Sequence, residues 1–478
     1  MMSTRPFPVL TAALLAPAAL VAMAPQAGAQ TLADALAQAY ANNPALLAAR
    51  AQLRSVDENV PQALAGWRPT VSISNSFGYL DGRIRTLGNT QDPTTGGIRQ
   101  YGVTSHNDRP LATNTVTLTQ PIFRGGRTVS STRRAESQVL AQRARLLATE
   151  QQVMQDTVTA YVSVIRDQEL LRLNINNEQV LTEQLRATNE RFRVGEITRT
   201  DVAQAESRLA GARSQRAQAE GNVQISRATF QRLVGLPPGA LVAPQPLRVP
   251  LRTGQEVAQA AANNNPNVVA ALFDEAGARD NVNIQTSALL PQLSLNTQAG
   301  RSDNSTLAHT RQTFAQVTAN LTVPLYQGGA EYSAIRQARQ TAQQARQTVD
   351  DQRRTVVQQA TQAWEQLQSS KAQVESVRSQ IRAAEIALDG VQREAIVGSR
   401  TTLDVLNAEQ ELLNARTSLV QSLSTVVQQS YALAATIGRL TASDLGLAVD
   451  TYDMRAYYNE VRNRWVGFGD YSGVAERR

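Results

Sequence analysis

The chain has 478 residues, of which 42% are hydrophobic but only 5% aromatic, a balance that favours long helices packed through small side chains over a thick globular interior. It contains no cysteine, so it forms no disulfide framework and lacks a cysteine nucleophile and the usual zinc site. The net charge is +7, yet Lys371 is the only lysine and the arginines are scattered, which argues against nucleic acid as a partner.

The amino-terminal segment, residues 1–29, is predicted to be a secretory signal peptide. Arg5 is followed by an apolar run over residues 9–23 and by a small-residue cleavage site at residues 27–29. The mature chain is expected to begin at Gln30, with no cysteine available for lipidation. No later apolar run approaches the roughly 18 residues that a membrane helix needs, so membrane contact would have to use strands.

The first half is predicted to open with a helix over residues 32–63 that is interrupted at the Asn-Pro pair of residues 43–44. Apolar and small polar side chains then alternate over residues 71–79, which predicts a strand with one apolar and one polar face. A loop rich in Gly, Asp, Asn and Thr is expected from Asp81 to Pro110, before a second strand around residues 115–119.

A long helix follows the strands. Residues 127–190 contain neither proline nor glycine, which predicts a rod of roughly 96 Å at about 1.5 Å per residue. Leu140, Met154 and Tyr161 fall on one heptad position, as in a coiled coil. A shorter helix is expected over residues 200–236, and stacked end to end on the opening helix it would match the rod in length.

The second half repeats the first. The Val-Gly pair of residues 194–195 recurs at residues 397–398, and the same sequence offset relates Tyr161 to Trp364. One long period of this kind is typical of a duplicated domain half and not of a solenoid of short repeats. The first repeat is assigned to residues 30–236.

The second repeat is assigned to residues 254–440, after a proline-rich linker at residues 237–253. Its predicted elements are strands at residues 293–295 and 317–323, a loop at 301–311 between them, and helices at 330–393 and 403–440. The tail, residues 441–478, is predicted to contain an amphipathic helix on the outside of the fold. Its apolar residues at helical spacing are Met454, Tyr457, Tyr458, Val461 and Trp465.

Three motifs carry a resemblance to a known family: the Asn-Pro pair, the segments Gln120–Gly126 and Val323–Gly329 after the strands, and the two Val-Gly tips. Their order and duplication resemble the TolC family of outer-membrane channel-tunnels, as far as about Leu440. The implied fold is mixed and mainly α, with long coiled-coil-like helices forming a periplasmic tube. Four strands per chain would join a shared twelve-stranded trimeric β-barrel, since bacterial barrels start at about eight strands.

The resemblance implies a passive exit duct in the outer membrane of a Gram-negative cell, extending into the periplasm and gated at its periplasmic tip. It would serve type I protein secretion, tripartite drug efflux or both, and the unlipidated start slightly favours secretion. The expected partners are the other copies of a homotrimer, a periplasmic adaptor, an inner-membrane ABC or proton-driven transporter, and outer-membrane lipid. No cofactor or metal is expected. Energy would come from the transporter, since Lys371, between Ser370 and Ala372, belongs to no P-loop.

The same resemblance assigns a gate. Asp404 matches a ring of carboxylates at the narrowest constriction, which would favour cations and bind a multivalent one. Arg400 matches a residue that ties the inner hairpin to the outer one, with Thr200 and Asp201 as its partners. Asn407 stands where a second acidic ring can occur, which implies a weaker block by cations.

The tips between the long and short helices are implied to contact the adaptor, where glycine suits a turn and a close backbone approach. The residues concerned are Val194, Gly195, Glu196, Val397, Gly398 and Ser399. Ala395 stands where a tyrosine can brace the closed gate, which implies a gate with fewer links.

Spacing alone gives a plainer interpretation of the two acids. Thr198 with Asp201, and Thr401 with Asp404, each match a capping box at a helix start. An acid can cap its helix and still face a lumen, so both roles stay open for Asp404.

Two other functions were weighed. An enzyme is disfavoured because His106 and His309 are the only histidines, both are expected in inter-strand loops, and no aromatic cleft is indicated. A periplasmic coiled-coil scaffold or adhesin would account for the rods but not for the two pairs of alternating strands. Because the signal of each barrel strand is weak, the scaffold remains the alternative.

Overall fold

A computed structural model describes residues 30–305, 308–469, Tyr471 and Gly473, so the predicted signal peptide lies outside the described residues. The elements of the first half are α1 (Leu32–Asn42), α2 (Pro44–Asp57), α3 (Asn59–Leu64), β1 (Thr70–Gln91), β2 (Ile98–Arg124), α4 (Arg127–Arg193) and α5 (Arg199–Val234). Those of the second half are α6 (Gly254–Asn264), α7 (Pro266–Thr286), β3 (Gln292–Asp303), β4 (Arg311–Thr322), α8 (Ala330–Ile396), α9 (Thr402–Thr436) and α10 (Ala456–Val461).

The four strands form one antiparallel sheet in the order β1-β2-β3-β4. The predicted loop from Asp81 to Pro110 is wrong, because β1 and β2 pair in continuous register from Thr70 opposite Thr119 to Gln91 opposite Ile98. Hydrogen bonding to the partner strand outweighs the low strand propensity of the glycines and asparagines in this stretch. The first hairpin is therefore much longer than the second, whose strands have 12 residues each.

The long helices α4 and α8 have 67 residues each, which corresponds to about 100 Å. α4 packs along α5, α7 and α9, whereas α8 packs along α6, α7 and α9. α5 and α8 share no extensive contact among the described residues, so they are the outer members of this group of helices. Nowhere in the described part of the chain does a helix combine the length and apolarity needed to cross a membrane.

The two Asn-Pro motifs join short helices end to end. The Asn43 side chain accepts a hydrogen bond from Ala45 N at 3.0 Å, which caps α2, and donates to Leu233 O near the end of α5 at 3.1 Å. Asn265 repeats the arrangement between α7 and α9, donating to Thr436 O at 3.0 Å. The predicted end-to-end stacking is confirmed, and each asparagine satisfies carbonyl and amide groups that helix ends leave free.

The main core lies midway along the rods, where the linker crosses α4. Tyr161 is fully buried, and its hydroxyl lies 2.8 Å from the carbonyl oxygens of both Gln30 and Val242. The same hydroxyl accepts a hydrogen bond from Val242 N at 3.0 Å. The ring packs against Phe230, with 6.2 Å between ring centroids. One side chain of the rod thus fixes both the backbone at Gln30 and the linker.

The tail differs in extent from its prediction. α10 comprises only six residues, and the backbone after Val461 is irregular through Trp465. A helix this short is unstable by itself. Contacts with α2 and α4 hold the tail in place, including the Arg143 guanidinium 5.2 Å from the centre of the Tyr458 ring.

Candidate functional site at the helix tips

The first tip joins α4 to α5 through a tight turn. Gly195 has a φ of 77°, in the left-handed region that favours glycine. Its N–H donates to Phe192 O at 3.0 Å, and Glu196 N donates to Arg191 O at 3.0 Å. Val194 is 78% exposed, so an apolar side chain projects from the end of this hairpin.

The second tip, between α8 and α9, has the same backbone. Gly398 has a φ of 80°, and Ser399 N donates to Glu394 O at 3.0 Å. Val397 is 78% exposed and Ile396 is 84% exposed. The six residues predicted to contact an adaptor are thus all exposed and lie on two equivalent turns. Their role in binding remains a prediction.

Each tip also contains an ion pair. The arginine precedes the glutamate in the first tip, whereas the glutamate precedes the arginine in the second. In the first tip, Arg191 at the end of α4 pairs with Glu196 in the turn at 2.6 Å. In the second, Glu394 at the equivalent helix position pairs with Arg400 after the turn at 2.9 Å. Within one chain the Arg400 guanidinium thus contacts Glu394, which lies in the same turn. The predicted contact of Arg400 with Thr200 and Asp201 remains a prediction.

The two predicted capping boxes are confirmed. Thr198 O–H and N–H donate to the Asp201 carboxylate at 2.7 and 3.0 Å. Thr401 does the same to Asp404 at 2.8 and 3.0 Å. The pKa of Asp201 is lowered mainly by the Thr198 hydroxyl, and the pKa of Asp404 mainly by the Thr401 backbone N–H. Both acids are therefore ionised at neutral pH and place negative charge at the tips.

The structure links the two hairpins through Arg208, a residue that the sequence did not single out. Arg208 on α5 donates from Nη2 to Asn407 Oδ1 on α9 at 3.0 Å. Below it, Leu209 and Leu406 are buried together with Leu181 of α4. The only signal in the sequence was the position of Asn407 one turn after Asp404, which indicated a missing charge and not a hydrogen bond. Asn407 therefore accepts a hydrogen bond that links the two hairpins of one chain.

The remaining candidates lie far from the tips. His106 is in β2, 3.3 Å from the carboxylate of Asp81, and not in a loop as predicted. His309 does lie in the loop between β3 and β4. Within residues 30–305 and 308–469, no cluster of His, Asp and Glu has the makings of a metal site.

Comparison with known proteins decides the family. Residues 35–236 and 257–439 match the model of the outer membrane efflux protein family. The chain belongs to this family. Outer membrane efflux protein BepC of Brucella suis biovar 1 is 36% identical over 442 residues, which cover 92% of each chain. Outer membrane protein TolC of Vibrio cholerae is 25% identical over 441 residues, covering 90% of this chain and 96% of its own.

The fold agrees with solved structures. The Campylobacter jejuni CmeC outer membrane channel matches with a TM-score of 0.73 at 16% identity, covering 90% of this chain and 89% of CmeC. The protein is thus an outer membrane channel of the TolC family, linked to type I secretion and efflux pumps, and it is not an enzyme. It resides in the outer membrane and extends into the periplasm.

Proposed function

We propose that three copies of this chain close into one gated export duct. The protomer has two free edges in each layer: β1 and β4 flank its sheet, and α5 and α8 flank its long helices. A head-to-tail contact that repeats by rotation pairs such edges and closes a ring. Three sheets of four strands make a twelve-stranded barrel, which exceeds the roughly eight strands that closure requires. The free edges of both layers are the observation that carries this proposal.

The helix tips form the gate in this arrangement. Asp404 is ionised and lies at the start of α9, so three copies bring three negative charges together at the entrance. Such a ring favours cations over anions. The Arg208–Asn407 hydrogen bond ties the second hairpin to the first, and the Arg400–Glu394 ion pair stiffens the turn of the second hairpin itself. Opening requires the exposed Arg208–Asn407 hydrogen bond to break, which costs little because a typical hydrogen bond contributes only about 0.5–1.5 kcal/mol.

The exposed turns are the contact surface for a periplasmic adaptor. Val194, Val397 and Ile396 offer apolar side chains, and the glycines beside them let a partner backbone approach closely. Two equivalent turns per chain give six sites in a trimer. An inner-membrane ABC or proton-driven transporter supplies the energy through that adaptor.

The transport system that the duct serves is assigned by similarity. The unlipidated start slightly favours type I protein secretion, but BepC, with 36% identity, is named an efflux protein. We therefore assign the duct to tripartite efflux first and to protein secretion second.

A complementation experiment tests the duct and its transport system. A strain lacking the gene is expected to become more sensitive to detergents and dyes, and the wild-type gene restores resistance. Gly398→Trp is expected to fail to restore it while still giving an SDS-resistant oligomer in the outer membrane, because the bulky side chain blocks the adaptor. Gly96→Trp, at an open positive-φ turn between β1 and β2, is the matched control for size and backbone conformation. Unchanged sensitivity in the deletion strain, with secretion also intact, would favour the scaffold alternative.

A further inference from the structure

The last segment of the tail runs along the rod toward the strands. Ala442 N donates to Glu150 on α4 at 2.8 Å, and Arg462 donates to Glu136 on the same helix at 3.0 Å. The contact point therefore moves about 21 Å along α4 toward its first residue. Between them, Tyr452 N donates to the hydroxyl of Tyr40 at 3.0 Å. By Arg462 the tail has thus come close to the start of α4, which follows the end of β2.

A contact at the base of the sheet fixes the end of this path. Arg68 Nη1 donates to Arg464 O at 2.6 Å, and the Arg68 guanidinium lies 5.0 Å from the centre of the Trp465 ring. β1 begins at Thr70, two residues after Arg68. Trp465 is therefore held beside the point where the chain enters its first strand.

The residues beyond this contact are apolar and exposed. Trp465 is 66% exposed, Val466 is 87% exposed, and Phe468 is fully exposed at 109%. Exposing three large apolar side chains in a row to water is unfavourable, and such patches mark an interaction surface. Leu325 and Tyr326, just after β4, are 90% and 78% exposed, so the opposite edge of the sheet also carries exposed apolar side chains at its base.

We propose that residues 465–469 form an interfacial anchor that inserts into the periplasmic leaflet of the outer membrane. Tryptophan and phenylalanine at the end of membrane strands suit the headgroup region, where an aromatic ring meets both lipid and water. Arg68 adds positive charge at the level of anionic phospholipid headgroups, whereas the charge of Arg464 is paired with Glu460. The chain thereby gains a membrane attachment although it has no cysteine for lipidation. This inference rests on the proposed placement of the strands in the membrane.

Site-directed spin labelling tests the anchor directly, because the chain contains no cysteine to remove. A nitroxide is attached to Phe468→Cys in the full chain, reconstituted in vesicles of phosphatidylethanolamine and phosphatidylglycerol. Collision with oxygen, which partitions into lipid, is expected to exceed collision with a water-soluble nickel chelate. Val317→Cys on β4 serves as the lipid-facing control, and Val194→Cys at the first tip serves as the water-facing control.

The controls separate the possible failures. If the label at 468 collides mainly with the chelate while the label at 317 collides mainly with oxygen, the segment lies in water and the anchor is refuted. If the label at 468 is shielded from both reagents, a second copy of the chain covers it, which also refutes the anchor. If the label at 317 itself lies in water, the strands do not span the membrane, and both this inference and the proposed duct are overturned.

Discussion

The equivalent rods α4 and α8 have the same length but different surroundings. Tyr161 on α4 is fully buried and hydrogen bonded, whereas Trp364, its counterpart on α8, is only partly buried. α4 is enclosed by α5, α7 and α9, while α8 lies at an edge of the protomer. Duplication therefore produced one rod that stabilises the protomer and one whose outer face meets a neighbouring copy only in the proposed trimer.

The largest expected effect tests this difference at the two aromatic positions. Tyr161→Ala removes a buried ring together with a hydroxyl that donates to the Gln30 or Val242 carbonyl and accepts from Val242 N, so it is expected to cost about 3–5 kcal/mol of stability. Trp364→Ala should cost clearly less. Thermal unfolding of the detergent-solubilised protein, followed by circular dichroism, measures both. Equal losses would contradict the comparison, because α8 would then be as enclosed as α4.

The glycines that end α5 and α9 provide a second test. Gly235 and Gly438 both have positive φ values, 89° and 80°, so alanine at either site costs about 1–2 kcal/mol of backbone strain. A Cβ at Gly438 would also lie 2.6 Å from Asn264 O, whereas at Gly235 the nearest atom is 3.9 Å away. Gly438→Ala is therefore expected to lower the unfolding temperature more than Gly235→Ala. The reverse order would mean that the junction of α6 and α7 with α9 is not tightly packed.

A buried acid distinguishes α2 of the first half from α7, its counterpart in the second half. Asp57 on α2 is buried, neither carboxylate oxygen has a hydrogen-bond partner among the described residues, and burial raises its pKa to about 7. The nearby Arg143 opposes this shift and Glu58 adds to it. The equivalent position on α7 is Arg279, which is exposed and paired with Glu275 at 2.5 Å.

The pH dependence of stability follows from this raised pKa. The ordinary pKa of an aspartate is 3.8. Between about pH 4 and about pH 7 the folded chain therefore keeps a proton on Asp57 that the unfolded chain has lost. The stability of the folded chain falls as the pH rises through this range. Asp57→Asn is therefore expected to raise the unfolding temperature at pH 8 and to raise it less at pH 5. Arg279→Gln is the matched control; it removes the ion pair with Glu275, so any change in unfolding temperature should be about the same at both pH values. An equal gain at both pH values would show that Asp57 does not carry the raised pKa.

The smallest substitution tests whether Asp404 acts through its capping hydrogen bonds or through its negative charge. The amide oxygen of asparagine can still accept the hydrogen bonds from Thr401, so Asp404→Asn keeps the capping box but removes the negative charge. We expect block of the conducting protein by trivalent cations to weaken strongly in this variant. Asp201→Asn makes the same change in the first tip, whose acid is not assigned to the ring of charges, and should weaken block less. Undiminished block in Asp404→Asn would show that Asp404 serves only as a cap.

Much of this architecture was predictable because its signals are local. The absence of proline and glycine defined α4 to within a few residues, and the Thr-x-x-Asp spacing identified both capped helix starts. The long first hairpin was missed because its strands are stabilised by each other across the ladder, which no single segment reveals. The Arg208–Asn407 bond was missed for a related reason, since it joins residues from opposite halves of the sequence.

Single-channel conductance of the purified oligomer in a planar bilayer, with wild type beside Arg400→Ser, tests the central claim most directly. Loss of the Arg400–Glu394 ion pair should loosen the second hairpin, so long-lived, cation-selective openings are expected to be larger in the variant. Arg191→Ser, which removes the reversed pair of the first tip, is the matched control and should change conductance less. A folded oligomer that conducts nothing, or conductance that is identical in wild type and Arg400→Ser, would contradict a gated duct with its gate at this tip.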